Sequence, residues 1–284
     1  MSKILCVILH YKTIDKTIDC MESILNQKVP SDSEIYITLI CNGSNDGTDE
    51  TLFERYSEVA NVVLSKYNMV FSAAMNFGVR QSKIKPDYVL LINNDITING
   101  DNLFVDMIKS YKTYNWAVMG PDIYSISSCS YDNPIKEKES FNIIKLCLSL
   151  LKTDIDIILK KWKKPLQIND QKKKRNIHLV ENCVLHGAFL IFSPIYMRVY
   201  PNVIFPQKSF YMEEDLIYFL CKKYNLKTMY DPSIKINHHH SVSIMKMFDD
   251  NIVKKQKFVL LEHRKSKKTL LKLVFKSYFC DIKF

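Results

Sequence analysis

Three short clusters hold the side chains best suited to chemistry. Asn93-Asn94-Asp95 ends an apolar run that begins at Tyr88. Glu213-Glu214-Asp215 follows the aromatic pair Phe210-Tyr211. His238-His239-His240 closes the alternating stretch Ile234-Lys235-Ile236-Asn237. A carboxylate at the end of a buried strand suits a hard divalent cation, which takes one or two carboxylates and fills its other positions with phosphate oxygens and water. An ordinary loop cap would use the same aspartate. Three adjacent carboxylates raise one another's pKa unless a cation or donors compensate, so one of them can serve as a general base. Acidic residues also favour a helix N-terminus for dipole reasons alone. Neighbours along a strand face opposite ways, so at most one or two of the three histidines converge on a site, and an exposed loop cluster is the alternative.

The elements around these clusters follow from hydrophobic periodicity. Ile4 to Leu9 reads as a buried strand ending at His10-Tyr11-Lys12. Helical spacing over Thr13–Gln27 stops at Pro30, and Glu34 to Ile40 is a second strand. The turn formers from Asn42 to Thr48 lead into a helix reaching about Tyr56, and Asn61 to Ser65 is a short strand. A helix to Ser82 precedes Tyr88–Ile92; Asp101–Tyr111 is helical, and Ala117–Met119 is a short strand stopped by Gly120-Pro121. Strand–helix alternation with short connections predicts a mostly parallel sheet flanked by helices. Ligands should then lie over the loops at 10–12, 41–47, 67–71 and 93–95.

The pattern changes after Ser125. Residues 126–140 are polar and loop-like, and Phe141 to Trp162 carries apolar residues on one side before running into Lys160-Lys161-Trp162-Lys163-Lys164. Strand character returns at Val184 to Phe192 and ends at Pro194. Glu213 to Tyr224 is helical, and Thr228–Tyr230 and Ile234–Asn237 are strand-like. From Asn251 the chain is rich in lysine and apolar residues. The expected divisions are 1–125, a nucleotide-binding half; 126–180, a basic amphipathic insert; 181–250, an acceptor-binding and catalytic half; and 251–284, a basic amphipathic tail. A basic amphipathic segment with a tryptophan near its end can lie in a membrane interface, and the same pattern fits a helix packed on the domain.

Composition narrows the classes. With 284 residues and 47% hydrophobic content, a sizeable core is available and wholesale disorder is excluded. The net charge of +10 suits an anionic partner. Eight cysteines form no C-x-x-C pair, which argues against a zinc site or a disulfide framework. The opening strand is too short for a signal core, and no run approaches the about 20 apolar residues of a spanning helix. The expectation is a cytoplasmic chain, peripheral on the inner face of the plasma membrane.

Taken together and in order, these clusters resemble glycosyltransferase family 2, whose members have the Rossmann-like GT-A fold. Val7-Ile8-Leu9-His10-Tyr11 looks like the family's first strand and nucleotide loop. Asn42-Gly43-Ser44-Asn45-Asp46-Gly47-Thr48 matches its Asn-Gly-Ser-x-Asp-Gly-Ser/Thr loop, and Asn68 to Gly78 resembles its Asn-x-Gly-Phe…Asn-x-Gly segment. Asn93-Asn94-Asp95 stands at the metal motif, Gly187-Ala188 at the acceptor-side Gly-Ala, Glu214-Asp215 at the Glu-Asp motif, and His238 at the histidine ending the last core strand. The branch most similar is that of bacterial rhamnosyltransferase-like polysaccharide enzymes. Departures are Cys41 where the family has an aspartate that helps bind the base, Val70 for a glycine, and Ile217 for a second aspartate.

The resemblance implies an inverting, metal-dependent transfer from a nucleotide-sugar, of UDP-hexose or dTDP-rhamnose type, to a lipid-linked saccharide in capsule, O-antigen or exopolysaccharide synthesis. It implies Asp215 as catalytic base with Glu214 beside it. His10, Tyr11, Asn42, Ser44, Asp46, Asn68, Asn76, Asn93 and Asn94 would bind the donor. His186, Gly187, Ala188 and Glu213 would meet the acceptor, and Asp95 with His238 would hold Mg²⁺ or Mn²⁺. An anionic membrane surface is an expected partner, nucleic acid is not, and a homo-oligomer is left open. The rivals are a basic nucleic-acid- or membrane-binding protein, a nucleotidyltransferase, and a catalytically weak or dead homologue, which Cys41 keeps open.

Overall fold

The computed structural model describes residues 1–136, 141–163, 172–207, 209–239, 248 and 251–280. Its axis is the pair β1 (Ser2–His10) and β4 (Tyr88–Asn93). Ile4 to Ile8 and Val89 to Ile92 have no solvent exposure, so neither strand has a wet face. Strands covered on both sides favour parallel pairing. β1 pairs in parallel with β4 and with β2 (Ser33–Cys41), and β2 pairs in parallel with β3 (Asn61–Leu64). The register sets His10 beside Cys41 and Leu9 beside Asn93. The C-terminal ends of β1, β2 and β4 therefore finish together, which is where the sequence predicts the ligand.

Helices α1 (Ile14–Leu25), α2 (Thr48–Tyr56) and α3 (Phe71–Gln81) connect these strands, and α4 (Leu103–Tyr114) follows β5 (Ile96–Asn99). The pleat divides the core in two. Cys6, Ile8, Leu90 and Ile92 face α1 and α4 through Met21, Ile24, Phe104 and Met107. Leu5, Val7, Val89 and Leu91 face the other way, toward Met75 of α3 and toward Leu216 and Leu220 of α7 (Glu213–Lys223).

The second half of the sheet is mixed. Its order is β3-β2-β1-β4-β9-β6-β10-β5. Strand β9 (Phe189–Phe192) runs antiparallel to both neighbours, β4 and β6 (Val118–Ser125). Strand β10 (Thr228–His238) is parallel to β6 and antiparallel to β5. Pro121, expected to stop a strand, lies inside β6, and the two stretches 228–230 and 234–237 are one strand that runs through Pro232. Pro121 pairs with Asp231, and the β6–β10 register shifts between Asp231 and Lys235 around Pro232. A strand tolerates the missing amide donors at such an irregularity. The strand expected from Val184 starts only at Phe189. Val184 makes a single bridge to Lys136, and the chain turns at Gly187-Ala188. Pro194 opens α6 (Pro194–Val199) as its first residue, a position where its lost N–H costs nothing. Short strands β7 (Ser130–Tyr131) and β8 (Val180–Glu181) pair with β6 and β10.

The insert and the tail form a helix pair. In α5 (Ile143–Ile158), Asp154 meets Arg264 Nε and Thr153 Oγ1 accepts from Lys267 Nζ at 2.8 Å; both partners lie on α8 (Ile252–Lys276). Lys257 Nζ sits 5.6 Å from the Trp162 ring, so the two helices run antiparallel. Leu270, Leu273 and Val274 bury into the core beside α7. These three residues of the tail are thus spent on packing. Arg175, in the basic run 172–175 of the insert, pairs through Nε with buried Asp122 at 2.6 Å. Among the described residues no helix is long and apolar enough to cross a membrane. His240, Ser241, Ser243 and Lys164 lie outside the described residues.

Candidate active site

The C-terminal ends of β1, β4 and β10 border a cleft of about 330 Å³. On one side are Tyr11, Asn42 and Asn68; in the middle are Asn93, Asn94, Asp95 and His238; on the far side are His186, Gly187, Ala188, Glu213 and Glu214. Loops 10–12, 41–47, 67–71 and 93–95 all contribute to or back this cleft, as open α/β sheets require.

The nucleotide-side wall is held by Asn42. Its Nδ2 donates to Asn68 Oδ1 and Met69 O, each at 3.1 Å, and its Oδ1 accepts from Met69 N at 2.9 Å. Gly43 makes this docking feasible. Its φ is +70°, and a Cβ there would lie 2.6 Å from the Tyr67 carbonyl carbon. Asn94 is similarly anchored, donating to Thr13 Oγ1 at 2.7 Å and to Thr17 Oγ1 at 2.8 Å.

Four residues predicted to bind the donor do not line the cleft. His10 is fully buried; Nδ1 pairs with Thr17 Oγ1 at 2.7 Å and Nε2 with Thr48 Oγ1 at 3.0 Å. Burial lowers its pKa to about 4, although Asp49 and Asp46 pull the other way. Ser44 Oγ accepts from Lys12 N, and its own N–H donates to Asp49 Oδ2. Asp46 accepts from Thr48 N and Oγ1 in a local turn ahead of α2. Asn76 is buried and spends both amide ends on Ile204, pinning the 201–207 loop to α3. His10, Ser44 and Asn76 are buried polar groups bonded inside the fold, which sequence position cannot reveal, whereas Asp46 is exposed beside the cleft-side loop.

At the centre, Asp95 Oδ1 lies 3.4 Å from His238 Nε2, and Asp132 Oδ2 lies 3.2 Å from His238 Nδ1. The His186 ring stands 5.5 Å from that of His238, nearly edge-on. Asn133 builds this corner: its Nδ2 donates to Pro121 O of β6, and its Oδ1 accepts from His186 N at 2.7 Å. Burial opposes a charge on His238, but the hydrogen bonds its ring donates to the Asp132 and Asp95 carboxylates, with their negative charge, outweigh it and raise its pKa to about 9. Asp132, His186 and His238 offer ligand atoms all within 4.8 Å of one another. Two imidazoles and a carboxylate, with Asp95 adjacent, form a donor set that suits a divalent transition ion such as Mn²⁺ better than Mg²⁺, which prefers oxygen alone. Asp132 was missed in sequence. It stands alone in the polar stretch 126–140, and no spacing links it to His238.

The far wall begins with two consecutive left-handed residues, Tyr211 (φ 72°) and Met212 (φ 66°). Neither is glycine, so the surrounding contacts must hold them there. They come from α8: Glu262 Oε2 accepts from Phe210 N at 2.9 Å, Ser266 Oγ donates to Phe210 O at 2.8 Å, and His263 stacks on Tyr211 at 4.9 Å. Glu214 Oε1 accepts from Gly187 N at 3.1 Å. Glu213 is buried, and its Oε1 has no hydrogen-bond partner. Burial first, and the Glu214 charge second, raise its pKa to about 8. Burial also raises that of Glu214. Asp215 does not line the cleft; its carboxylate is 3.7 Å from Lys136 Nζ.

The family model for glycosyl transferase family 2 matches residues 6–183. The chain belongs to glycosyl transferase family 2. The match ends before α7 and does not reach Glu213–Asp215 or His238. Among solved structures, S. aureus TarS (residues 1–349) aligns over 98% of this chain and 72% of its own, at 13% identity and a TM-score of 0.55. The same protein in complex with UDP-GlcNAc gives 0.54 over the same shares. GalNAc-T7 with UDP, GalNAc and Mn²⁺ aligns over 84% of this chain but 44% of its own, at 11% identity and a TM-score of 0.58. At these identities the likeness is one of fold, and that fold is GT-A. A comparison with curated proteins finds no match.

Proposed function

We propose that this family 2 glycosyltransferase moves a sugar from a nucleotide-sugar to a saccharide hydroxyl with inversion at the anomeric carbon. The observation that carries this reading is a single cleft joining three groups: the Tyr11–Asn68 wall, Asp95 with His186 and His238, and Glu213 and Glu214 of the acidic first turn of α7. The ligands of the fold neighbours, UDP-GlcNAc in TarS and UDP with GalNAc in GalNAc-T7, support a donor of the UDP-sugar type. Cys41 in place of the usual aspartate leaves base recognition to Tyr11, Asn68 and backbone groups.

In the transfer, the acceptor oxygen forms a bond to the anomeric carbon as the bond from that carbon to the donor's phosphate oxygen breaks. The acceptor proton passes to a carboxylate of α7, and a nucleoside diphosphate leaves. Asp95, His238 and His186 would hold a divalent ion, which when bound would neutralise the growing charge on the diphosphate, and Asp132 would position His238 from the other side of its ring. We assign the proton to Asp215 from the family motif, with Glu214 held in place by Gly187 N–H. A second reading has a specific observation behind it: Glu213 lines the cleft, and its pKa of about 8 lies near a working pH. The acceptor is proposed to be a lipid-linked saccharide of bacterial surface-polysaccharide synthesis.

The test is a thermal-shift panel of nucleotide sugars with Mn²⁺ or Mg²⁺, followed by turnover with the donor that binds. Release of nucleoside diphosphate supports transfer; release of pyrophosphate makes the protein a nucleotidyltransferase instead. Asp215→Asn should abolish turnover and keep the donor shift. If Asp215→Asn turns over normally and Glu213→Gln does not, the base is Glu213.

A further inference from the structure

Helix α5 carries an apolar stripe that nothing among the described residues covers. Ile144, Leu148, Leu151, Ile155 and Ile158 are 69%, 60%, 55%, 43% and 75% exposed. Their 4-3-4-3 spacing keeps them within an arc of roughly 80° along about 21 Å of helix. The opposite face is in use, with Thr153 buried and facing α8. Five large aliphatic side chains in one row exceed the scattered apolar exposure of an ordinary surface.

The charges beside the stripe select the occupant. Lys145 and Lys152 flank it along one edge, and Lys160, Lys161 and Lys163 follow its C-terminal end. The acidic residues of α5 are already engaged, Asp154 with Arg264 and Asp156 with Lys161. The helix therefore offers a partner hydrocarbon and cations. A second copy of the chain would bring the same cations against themselves. Nucleic acid would meet the lysines but has no use for a leucine–isoleucine row. A bilayer with anionic headgroups meets both, because the aliphatic side chains enter the acyl boundary while the lysine stems reach back to phosphate. The N-terminus of α8, at the same end of the pair as Trp162, adds exposed Ile252 and Val253 followed by Lys254 and Lys255.

We propose that the exposed stripe of α5 seats this protein on an anionic membrane surface, with α8 as the rigid layer between the bilayer and the cleft. The seat does not depend on the transfer reading. It gives that reading a route for a lipid-borne acceptor, because α8 also holds Phe210 and Tyr211 of the cleft wall.

The experiment is flotation of the full chain with neutral phosphatidylcholine vesicles and with vesicles carrying phosphatidylglycerol. Wild type should float with the anionic vesicles and much less with the neutral ones. Leu148→Ser with Leu151→Ser should lower partitioning about tenfold or more, since both side chains lose their hydrocarbon contact. Lys145→Gln with Lys152→Gln should weaken binding to anionic vesicles only and reduce its salt sensitivity. All four side chains are exposed, so melting temperatures should stay unchanged. Flotation of the leucine variant equal to wild type overturns the proposal. So does a wild type that ignores anionic lipid, or one that dimerises without vesicles through these two leucines.

Discussion

The Asp132 carboxylate faces His238 Nδ1 at 3.2 Å, on the side of the ring opposite Asp95. A carboxylate on one ring nitrogen sets the tautomer and aims the other nitrogen, a recurrent arrangement behind metal-binding histidines. Asp132 is thus a positioning residue acting through His238. Asp132→Asn should weaken Mn²⁺ binding about 10- to 100-fold, with a smaller change in donor affinity without metal. Titrating free Mn²⁺ by electron paramagnetic resonance reads this directly. Unchanged affinity would show that the Asp132–His238 contact only supports the loop.

Glu213 makes stability depend on pH with a defined sign. Its pKa is raised from 4.5 to about 8 in the folded chain, so between those values the folded state holds more of the proton than the unfolded state. Stability from this group is therefore greatest at low pH and falls as pH rises through that window. Glu213→Gln should flatten this slope, and the variant should gain on wild type as pH increases. Urea denaturation at pH 5, 7 and 9 checks it; parallel curves for the two proteins would contradict the assignment.

Gly187 lies where the acceptor-side turn touches α7. A Cβ at this position would stand 2.6 Å from Glu214 Oε1 and 3.2 Å from its carboxyl carbon. Gly187→Ala must push the Glu214 carboxylate aside and break the bond from Gly187 N. The expected stability loss is about 1–3 kcal/mol. Turnover should fall while the donor's thermal shift persists. Equal loss of donor binding would place Glu214 on the donor side.

Asn76 separates a folding role from a binding one. Both ends of its buried amide bond to Ile204, at 2.7 and 3.0 Å. Asn76→Ala strands a buried N–H and a buried C=O, at a cost of about 2 kcal/mol or more. Donor affinity of the folded fraction should be unchanged. A selective loss of donor binding with normal stability would restore Asn76 to the donor site.

Glu262 tests whether the tail builds the cleft. Its Oε2 accepts from Phe210 N, and its Oε1 pairs with Lys265 at 2.6 Å. Glu262→Ala should release the 209–212 segment, so hydrogen exchange there should quicken while β1 and β4 remain protected. Unchanged exchange at Phe210 would mean the stack of Tyr211 on His263 suffices.

The sequence by itself determined the elements whose cause is local. The apolar runs of β1 and β4 must be covered on both faces, and strand–helix alternation brings their ends, and so Asp95, to one edge of a parallel sheet. The acidic first turn of α7 and the terminal His238 of β10 were legible from type and spacing. Tertiary structure decided what depends on partners distant in the chain. It slid β9 antiparallel between β4 and β6, and it placed Asp132 against His238, 106 positions apart in the sequence. It also diverted His10, Ser44 and Asn76 into hydrogen bonds within the fold. A side chain's type shows which bonds it can make, but packing decides which partners are within 3 Å. The two basic helices make the same point. Their sequences are alike in lysine and aliphatic content, yet α8 buries Leu270, Leu273 and Val274, whereas α5 leaves Ile144, Leu148 and Leu151 facing out.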